Sequence, residues 1–365
     1  MTAQLRARPS GAKVWLNCPL GLTMQNLYGD RYPAGSAAEE GTAAHWVKEQ
    51  LRAGIERLPE EWLTAPNGVS TTNEMLQYGK EANAHIDKLA GGGKVYTELK
   101  IDIRFGKYTL SGTVDDVALP PDGRALHQAD YKYGHTHVPA DSEQNRIYGI
   151  GLRQRFLRER VTLHVIQPRD YTAKPTRSYD FTPAEQLQFC ERVEAALDAA
   201  HEKHPAAKPG GHCLRCPGRG HCAELRNASL TWTGRCSTDT TAPEAVAAEL
   251  VIAEQALELA KARLTGLQDE AQHVINGGGL VPGWSLERKP GREQWNDEQP
   301  VLQLSEAFGL LDSVSQRKLI TPNQAIKAGL PAELVRMHTS RPMGEPKLVR
   351  TGETLAARVF SGETE

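Results

Sequence analysis

Apolar and polar residues alternate along three neighbouring stretches of the chain, and a period of two marks strands with one buried face. "KVYTELKIDI" (94–103) and "KYTLSGTVDDVAL" (107–119) form the first pair, divided by a turn at Phe105-Gly106. Pro120-Pro121-Asp122-Gly123 is a strong turn signal, after which "RALHQADYK" (124–132) returns as a third strand. Helical spacing takes over on either side. "GTAAHWVKEQLRA" (41–53) reads as a helix opened by Gly41-Thr42 with Thr42 as its cap, and "DSEQNRIYGIGLRQRFL" (141–157) keeps helical spacing despite two glycines. "VTLHVIQPRD" (161–170) reads as a fourth strand stopped by Pro168, and a further helix runs over about 183–203. The order helix, three strands, helix, strand, helix predicts a mixed sheet flanked by helices, an α/β fold.

After about Ala207 the pattern breaks into the Gly/Pro/Cys segment "KPGGHCLRCPGRGHC". Residues 243–276, rich in Ala, Leu, Glu and Lys, predict one long helix or a helical hairpin. "NGGGLVPGWSLERKPGREQW" follows as a loop with a short basic strand, and small helices and a loose tail close the chain. A division into residues 1–235 and a mostly helical extension, 236–365, fits this change of composition.

Composition adds limits. The 365 residues are 39% hydrophobic and 24% charged, enough for one large domain with an appendage or for two domains. The formal net charge of −2 provides no global basic field, so any nucleic-acid partner must be met by a local basic cleft. The chain shows no apolar run of membrane-spanning length, and its start lacks a signal-peptide apolar stretch, so a cytoplasmic protein with no membrane partner is expected. Six cysteines are too few for a secreted disulfide scaffold, and clustered thiols in a reducing compartment point to metal binding or catalysis.

Candidate chemistry centres on the third strand. Side chains at i and i+2 share a strand face, so Asp130 and Lys132 point one way with Gln128, and Tyr131 and Ala129 the other. Asp115 of the preceding strand lies on the face of Ser111 and Thr113, and the intervening turn lets it converge on Asp130. A converging carboxylate pair is costly unless a cation neutralises it. Mg²⁺ uses one or two carboxylates when substrate phosphates complete its shell, and a lysine on the same face can orient or help deprotonate a water. Alone, Asp-x-Lys reads as an exposed ion pair of almost no energetic weight. Its company is Gly41-Thr42-x-x-His45, with Glu49 one turn on, then Gly112-x-x-Asp115, and Gln144-x-x-x-Tyr148, one helical turn apart and able to meet DNA together. Asp116 points away from Asp115 and reads as structural.

This ordered series resembles the RecB-type nucleases of the PD-(D/E)xK superfamily over roughly residues 8–225. The resemblance implies a restriction-endonuclease-like sheet in which His45, Asp115 and Asp130 hold Mg²⁺ or Mn²⁺, Lys132 is the catalytic lysine, and Gln144 and Tyr148 bind the DNA strand. Glu98, where relatives often carry a glutamate, is an accessory group or a plain surface residue, and Glu49 supports His45.

Cys213-x-x-Cys216-x₅-Cys222 is by itself a soft-ligand cluster suited to zinc, with His212 or His221 at hand as a fourth ligand. A subset of the resembled nucleases, including AddB and CRISPR-associated members, has one cysteine before the first motif and three after the last, as Cys18 stands here. The resemblance implies a [4Fe-4S] cluster on Cys18, Cys213, Cys216 and Cys222 that staples the two ends of the domain, favoured over zinc by spacing. Cys190 and Cys236 fall outside the pattern and read as free thiols. With "VIQPRD" and "VPGWSLERKPGREQW", the chain also resembles a phage and prophage family of recombination exonucleases. The expected function is a metal-dependent deoxyribonuclease acting on DNA ends in a bacterial host cell, alongside a phage recombination or single-strand-binding protein. The alternative is a silent nuclease fold serving as a DNA-binding scaffold. The basic "LERKPGR" reads as a solvated strand rather than a phosphate contact.

Overall fold

Both long alternating stretches are strands. β1 (Lys94–Phe105) and β2 (Tyr108–Leu119) pair antiparallel, from Lys94 opposite Leu119 to Phe105 opposite Tyr108. β3 (Ala125–Tyr131) continues antiparallel beside β2, then lies parallel to β4 (Arg160–Ile166), which pairs antiparallel with β5 (Thr176–Phe181). The result is a five-stranded mixed sheet in the order β1-β2-β3-β4-β5. The computed structural model describes residues 5–32, 35–54, 64–233, 243–288, 294–295, 298–314, 322–327, 329–340 and 347–350.

The helices are α1 (Ala12–Trp15), α2 (Pro19–Tyr28), α3 (Ser36–Arg52), α4 (Asn73–Ala90), α5 (Glu143–Phe156) and α6 (Pro183–Ala200). They split the core into two layers. On one side Trp15, Leu22, Ile147, Phe189 and Leu197 cover Ile103, Leu110, Val114 and Leu163 of the sheet. On the other, α3 and α4 lay Ala43, Ala44, Val47, Met75 and Ile86 on Ala118, Ala129, Tyr131 and Ile166. α5 supplies the crossover that a parallel β3–β4 pair requires. Its two glycines explain themselves here: a Cβ on Gly151 would lie 2.5 Å from Ile103, and one on Gly149 2.9 Å from Leu163. The helix can come this close to the sheet only without those side chains.

Some details differ from the sequence reading. α3 begins at Ser36, one and a half turns before Thr42, because Ala37, Ala38, Glu39 and Glu40 are good helix formers. Thr42 is therefore no cap, and its hydroxyl donates back to the Ala38 carbonyl at 3.1 Å. β4 ends at Ile166, and Gln167-Pro168-Arg169-Asp170 leaves the sheet as a turn.

After α6, two 3-10 turns, Gly211–Arg215 and Pro217–Gly220, lead into α7 (Ala223–Thr233), and 243–276 is one continuous helix, α8. Leu259 and Ala262 of α8 pack against Cys213 and Leu225. Accordingly, the first compact unit spans Met1–Leu267, taking in much of α8, and the second is Gln268–Glu365. In the second unit, β6 (Trp284–Glu287) and β9 (Lys347–Arg350) pair antiparallel, as do β7 (Gln294–Trp295) and β8 (Thr339–Ser340). Val301, Val314, Ala325, Leu330 and Val335 form its small core. Of "LERKPGR", Lys289–Arg292 lie outside the described residues, as does Cys236. Among the described residues no helix is long and apolar enough to cross a membrane.

Candidate active site

The site is built on a break in the β1–β2 ladder. Thr97 pairs with Asp116 and Leu99 with Val114, but Glu98 takes a left-handed φ of 50°, and no pairing joins it to Asp115. A non-glycine residue there is strained, by about 1 kcal/mol or more. Before the break Leu110 and Val114 face α5, after it Val117 and Leu119 do, so the alternation shifts by one residue. Strict alternation therefore fails after Asp115, and Asp116, read from sequence as pointing away from Asp115, meets Lys48 of the same helix whose His45 meets Asp115. Asp115 itself is held at the bulge, where its Oδ2 accepts the Tyr131 backbone N–H at 2.8 Å.

The bulge brings Glu98 and Asp115 together with His45 of α3. Among the described residues, these are the three whose ligand atoms all lie within 4.8 Å of one another. His45 Nδ1 stands 3.8 Å from Asp115 Oδ2, and its ring meets Tyr131 edge-on. The three line a cleft of about 920 Å³ that also exposes Gly41, Thr42, Glu49, Lys132 and Gly134. Asp130 lies beneath it, 2% exposed, with Oδ1 accepting from Lys132 Nζ at 2.8 Å and a buried Oδ2 that no hydrogen bond satisfies.

Electrostatics follow from burial. Burial, then Lys132 and Lys48, lower the His45 pKa to about 4, so its imidazole is neutral at physiological pH. Burial, with Asp115 beside it, raises the Glu98 carboxyl to about 7. Burial likewise lifts Asp130 to about 6, against the pull of Lys132. Asp115 is raised for the same reason. For Lys132 burial disfavours charge, but Asp130 and Asp115 outweigh it and the ammonium is held. Carboxyls left partly protonated around an unsatisfied oxygen are what a divalent cation would neutralise. The oxygen-plus-imidazole donor set fits such an ion.

Gln144 sits half-buried in the first turn of α5, while Tyr148 is 6% exposed and lies under the site. A Cβ on Gly112 would meet the Tyr148 ring at 2.7 Å, so the glycine of Gly112-x-x-Asp115 is the space this ring occupies. Glu49 lines the cleft and contributes to holding Glu98 up.

Sequence reasoning missed Lys48. It is 1% exposed and bonds Asp116 at 2.5 Å, also 1% exposed. Thr97 Oγ1 donates to the other Asp116 oxygen at 3.2 Å, and Asn83 to the Lys48 carbonyl at 3.0 Å. This pair bolts α3, and with it His45, to β2. The available signal was a lysine flanked by Ala43, Ala44 and Val47 on the apolar stripe of α3. Removing one member of a buried pair strands the other charge, so Lys48→Met should cost about 3–5 kcal/mol in urea unfolding, and Lys48→Met with Asp116→Leu should recover much of it. A loss below about 1 kcal/mol in the single variant would show the pair to be expendable.

A second polar centre joins the two ends of the first unit. Cys18 caps α2, and Cys213, Cys216 and Cys222 lie in and beside the 3-10 turns; the four line one small cavity with Val14, Met24 and Leu225. Sulfurs of three accept backbone N–H groups: Lys208 to Cys18 at 3.3 Å, Gly210 to Cys213 at 3.4 Å and Leu225 to Cys222 at 3.4 Å. Burial pushes the Cys216 thiol up to about 12 and raises Cys213 as well. Cys190 is a half-buried free thiol packed at the edge of the α6 core.

Residues 3–354 match the family described as protein of unknown function, DUF2800. The chain belongs to the DUF2800 family. No protein with a curated description matches it. Of solved structures, a protein described as a candidate exonuclease from Eubacterium rectale is similar to this DUF2800 member at 12% identity and a TM-score of 0.37, over 61% of this chain and 88% of that one. The protein SSO0001 is similar at 15% identity and a TM-score of 0.33, over the same shares.

Proposed function

We propose that this protein is a metal-dependent deoxyribonuclease that hydrolyses phosphodiester bonds at DNA ends. The observation that carries the reading is the meeting of His45, Glu98 and Asp115 within 4.8 Å of one another, above an Asp130–Lys132 pair of 2.8 Å. Asp130 is buried beside them, coupled electrostatically to Asp115 and His45 and with its Oδ2 unsatisfied, and we take the ligand set to be His45, Asp115 and Asp130, joined by Glu98 from the bulge. When bound, Mg²⁺ or Mn²⁺ supplies a Lewis acid for the phosphate and a water of lowered pKa.

The side chains divide the remaining work. His45, kept neutral by burial, offers a lone pair above about pH 5. The Tyr131 N–H fixes the Asp115 carboxylate. Lys132, held protonated by Asp130, would hydrogen-bond the attacking water and balance charge on the nonbridging oxygens, while the water's proton passes to solvent and the 3′-oxygen takes one from solvent as its bond to phosphorus breaks. Gln144, half-buried at the start of α5, would contact the DNA strand, whereas Tyr148, 6% exposed, packs under the site. An end-labelled single- and double-stranded DNA time course with and without Mn²⁺ tests the reading. Metal-dependent release of short products is expected, and tight DNA binding without turnover in either metal would overturn it.

Proton linkage gives a separate check. A cation binds the ionised carboxyls, so binding expels protons from Asp130 and Glu98, held at about 6 and about 7, whereas His45 at about 4 has none to release above pH 5. Affinity should therefore rise with pH. The Mn²⁺-induced increase in Tm should be small at pH 5, grow to about pH 7–8 and then level off; an effect independent of pH across that range would exclude these two acids as ligands.

We further propose that the four thiols bind a [4Fe-4S] cluster. Buried thiols raised in pKa need a cation to become thiolates, and amide N–H groups aimed at sulfur stabilise that form. The placing of the four cysteines in the sequence, one ahead of the nuclease motifs and three after them, favours this cluster over zinc.

A further inference from the structure

The loops that follow the parallel strands β3 and β4 leave the same end of the sheet, beside the cleft, where open α/β sheets receive their ligands. The first carries the exposed rings of His135 and His137, the second that of Tyr171. His135, next to the cleft residue Gly134, and Tyr171, which is 73% exposed, lie with centroids 5.7 Å apart and planes inclined by 33°. Two exposed rings held together on loops need an account, since water gains nothing by leaving them there.

The loops are braced to a degree that exposed loops do not need for themselves. Gln167, 1% exposed, donates to the carbonyls of Gly134 and Thr136, both at 2.7 Å, and accepts from the Val138 N–H at 3.1 Å. Buried Asp170 accepts from Thr172 twice, from His137 at 2.7 Å and lies 3.1 Å from Arg177. His135 Nδ1 meets the Arg169 carbonyl at 2.9 Å, and Arg169 lies over the Tyr133 ring. The "QPRD" turn is thus a clamp that fixes where both rings stand.

Charge completes the pattern. Residues 132–139 and 167–177 hold Lys132, Arg169, Lys174 and Arg177 against Asp170 alone, and that acid is buried in the clamp. Lys132, Arg169 and Arg177 are paired with Asp130, Glu40 and Asp170, which leaves the exposed Lys174, three residues from Tyr171, as the cation on offer to a polyanion.

We propose that His135 and Tyr171 form a stacking platform for an unpaired base, so that the site takes the single-stranded end of its DNA. The proposal deepens the nuclease reading and rests on it for the identity of the polymer. A base stacks on an exposed aromatic face regardless of its sequence, and Lys174 stands near enough to meet its backbone phosphate.

The test uses the full chain with Ca²⁺ in place of the catalytic ion. Fluorescence anisotropy compares a labelled oligo-dT with a blunt duplex of the same length. Tyr171→Ala should weaken oligo-dT binding by about tenfold and duplex binding by less than about twofold, with Tyr171→Phe like the wild type. Because the ring is exposed, Tm should not move. Unchanged oligo-dT binding in Tyr171→Ala, an equal loss on both DNAs, or no oligo-dT binding by the wild type would each overturn the platform. Cleavage in Mn²⁺ is scored separately. A wild type that binds oligo-dT through Tyr171 but never cuts sinks the nuclease reading alone, whereas cutting with Tyr171→Ala indistinguishable in binding sinks the platform alone.

Discussion

Lys132→Ala and Asp130→Ala should each lower DNA cleavage by about 10³-fold or more, measured as initial rates on end-labelled substrate in saturating Mn²⁺. The two losses have different origins. Lys132 is 30% exposed and paired only with Asp130, so its removal leaves the fold intact and takes away a donor and a charge in the cleft. Asp130 is buried with one oxygen unsatisfied and its pKa raised to about 6. In the absence of metal this carboxyl is a liability, and Asp130→Ala should not lower the Tm of the metal-free protein. It should, however, remove most of the stabilisation that Mn²⁺ confers, whereas Lys132→Ala should keep it. Wild-type rates in both purified variants would remove the active-site assignment.

Cys213→Ser should have the largest effect on stability. Cys18 and Cys213 stand almost two hundred residues apart in sequence, yet line one cavity. A link across such a loop restricts the unfolded chain by about 5 kcal/mol, and a fall in Tm on the order of 10–20 °C follows for a unit of this size. Anaerobically purified wild type should be brown with broad visible absorption, and the variant colourless. Cys190→Ser, outside the cavity, should match the wild type in both respects. A colourless wild type with one equivalent of zinc would sink the cluster, and an unchanged Tm in Cys213→Ser would sink any bound group as a staple.

Much of the sheet was legible because β1 from Lys100 and β2 up to Val114 bury one face, where a period of two survives, while the end of β2 and β3, buried on both faces, were bounded by the turn at 120–123. α4 was not, since its inward stripe includes Gly79, Ala82 and Ala90, whose small side chains carry little hydrophobic signal even though the helix packs closely on α3 and β2. β5 was hidden for the opposite reason: as an edge strand, "TRSYDF" keeps polar residues on much of its surface. In the site, His45, Asp115, Asp130 and Lys132 could be picked out by motif. That Glu98 joins His45 and Asp115 could not, because it depends on a left-handed backbone at one residue. Lys48 escaped for a related reason. Its burial is set by Asp116 across the sheet, and a lysine in a helical pattern otherwise reads as solvated. Tyr148 was placed in the right neighbourhood but facing the wrong medium, since the cavity it fills is made by the missing side chain of Gly112.

The wiring of the first unit also dictates when it can finish folding. α1 and α2 are among the first residues made, yet α2 packs on α6 and on the turn at 217–220. On the ribosome, the sheet from β1 to β5 is complete some forty residues before Cys222 is added to Cys18, Cys213 and Cys216. Until then α1 and α2 can close on the sheet, α5 and α6, but α2 lacks the turn at 217–220, and nascent chains should carry that face of it exposed to chaperones and proteases. The packing of α2 is therefore completed late, by the turn at 217–220 rather than by the sheet.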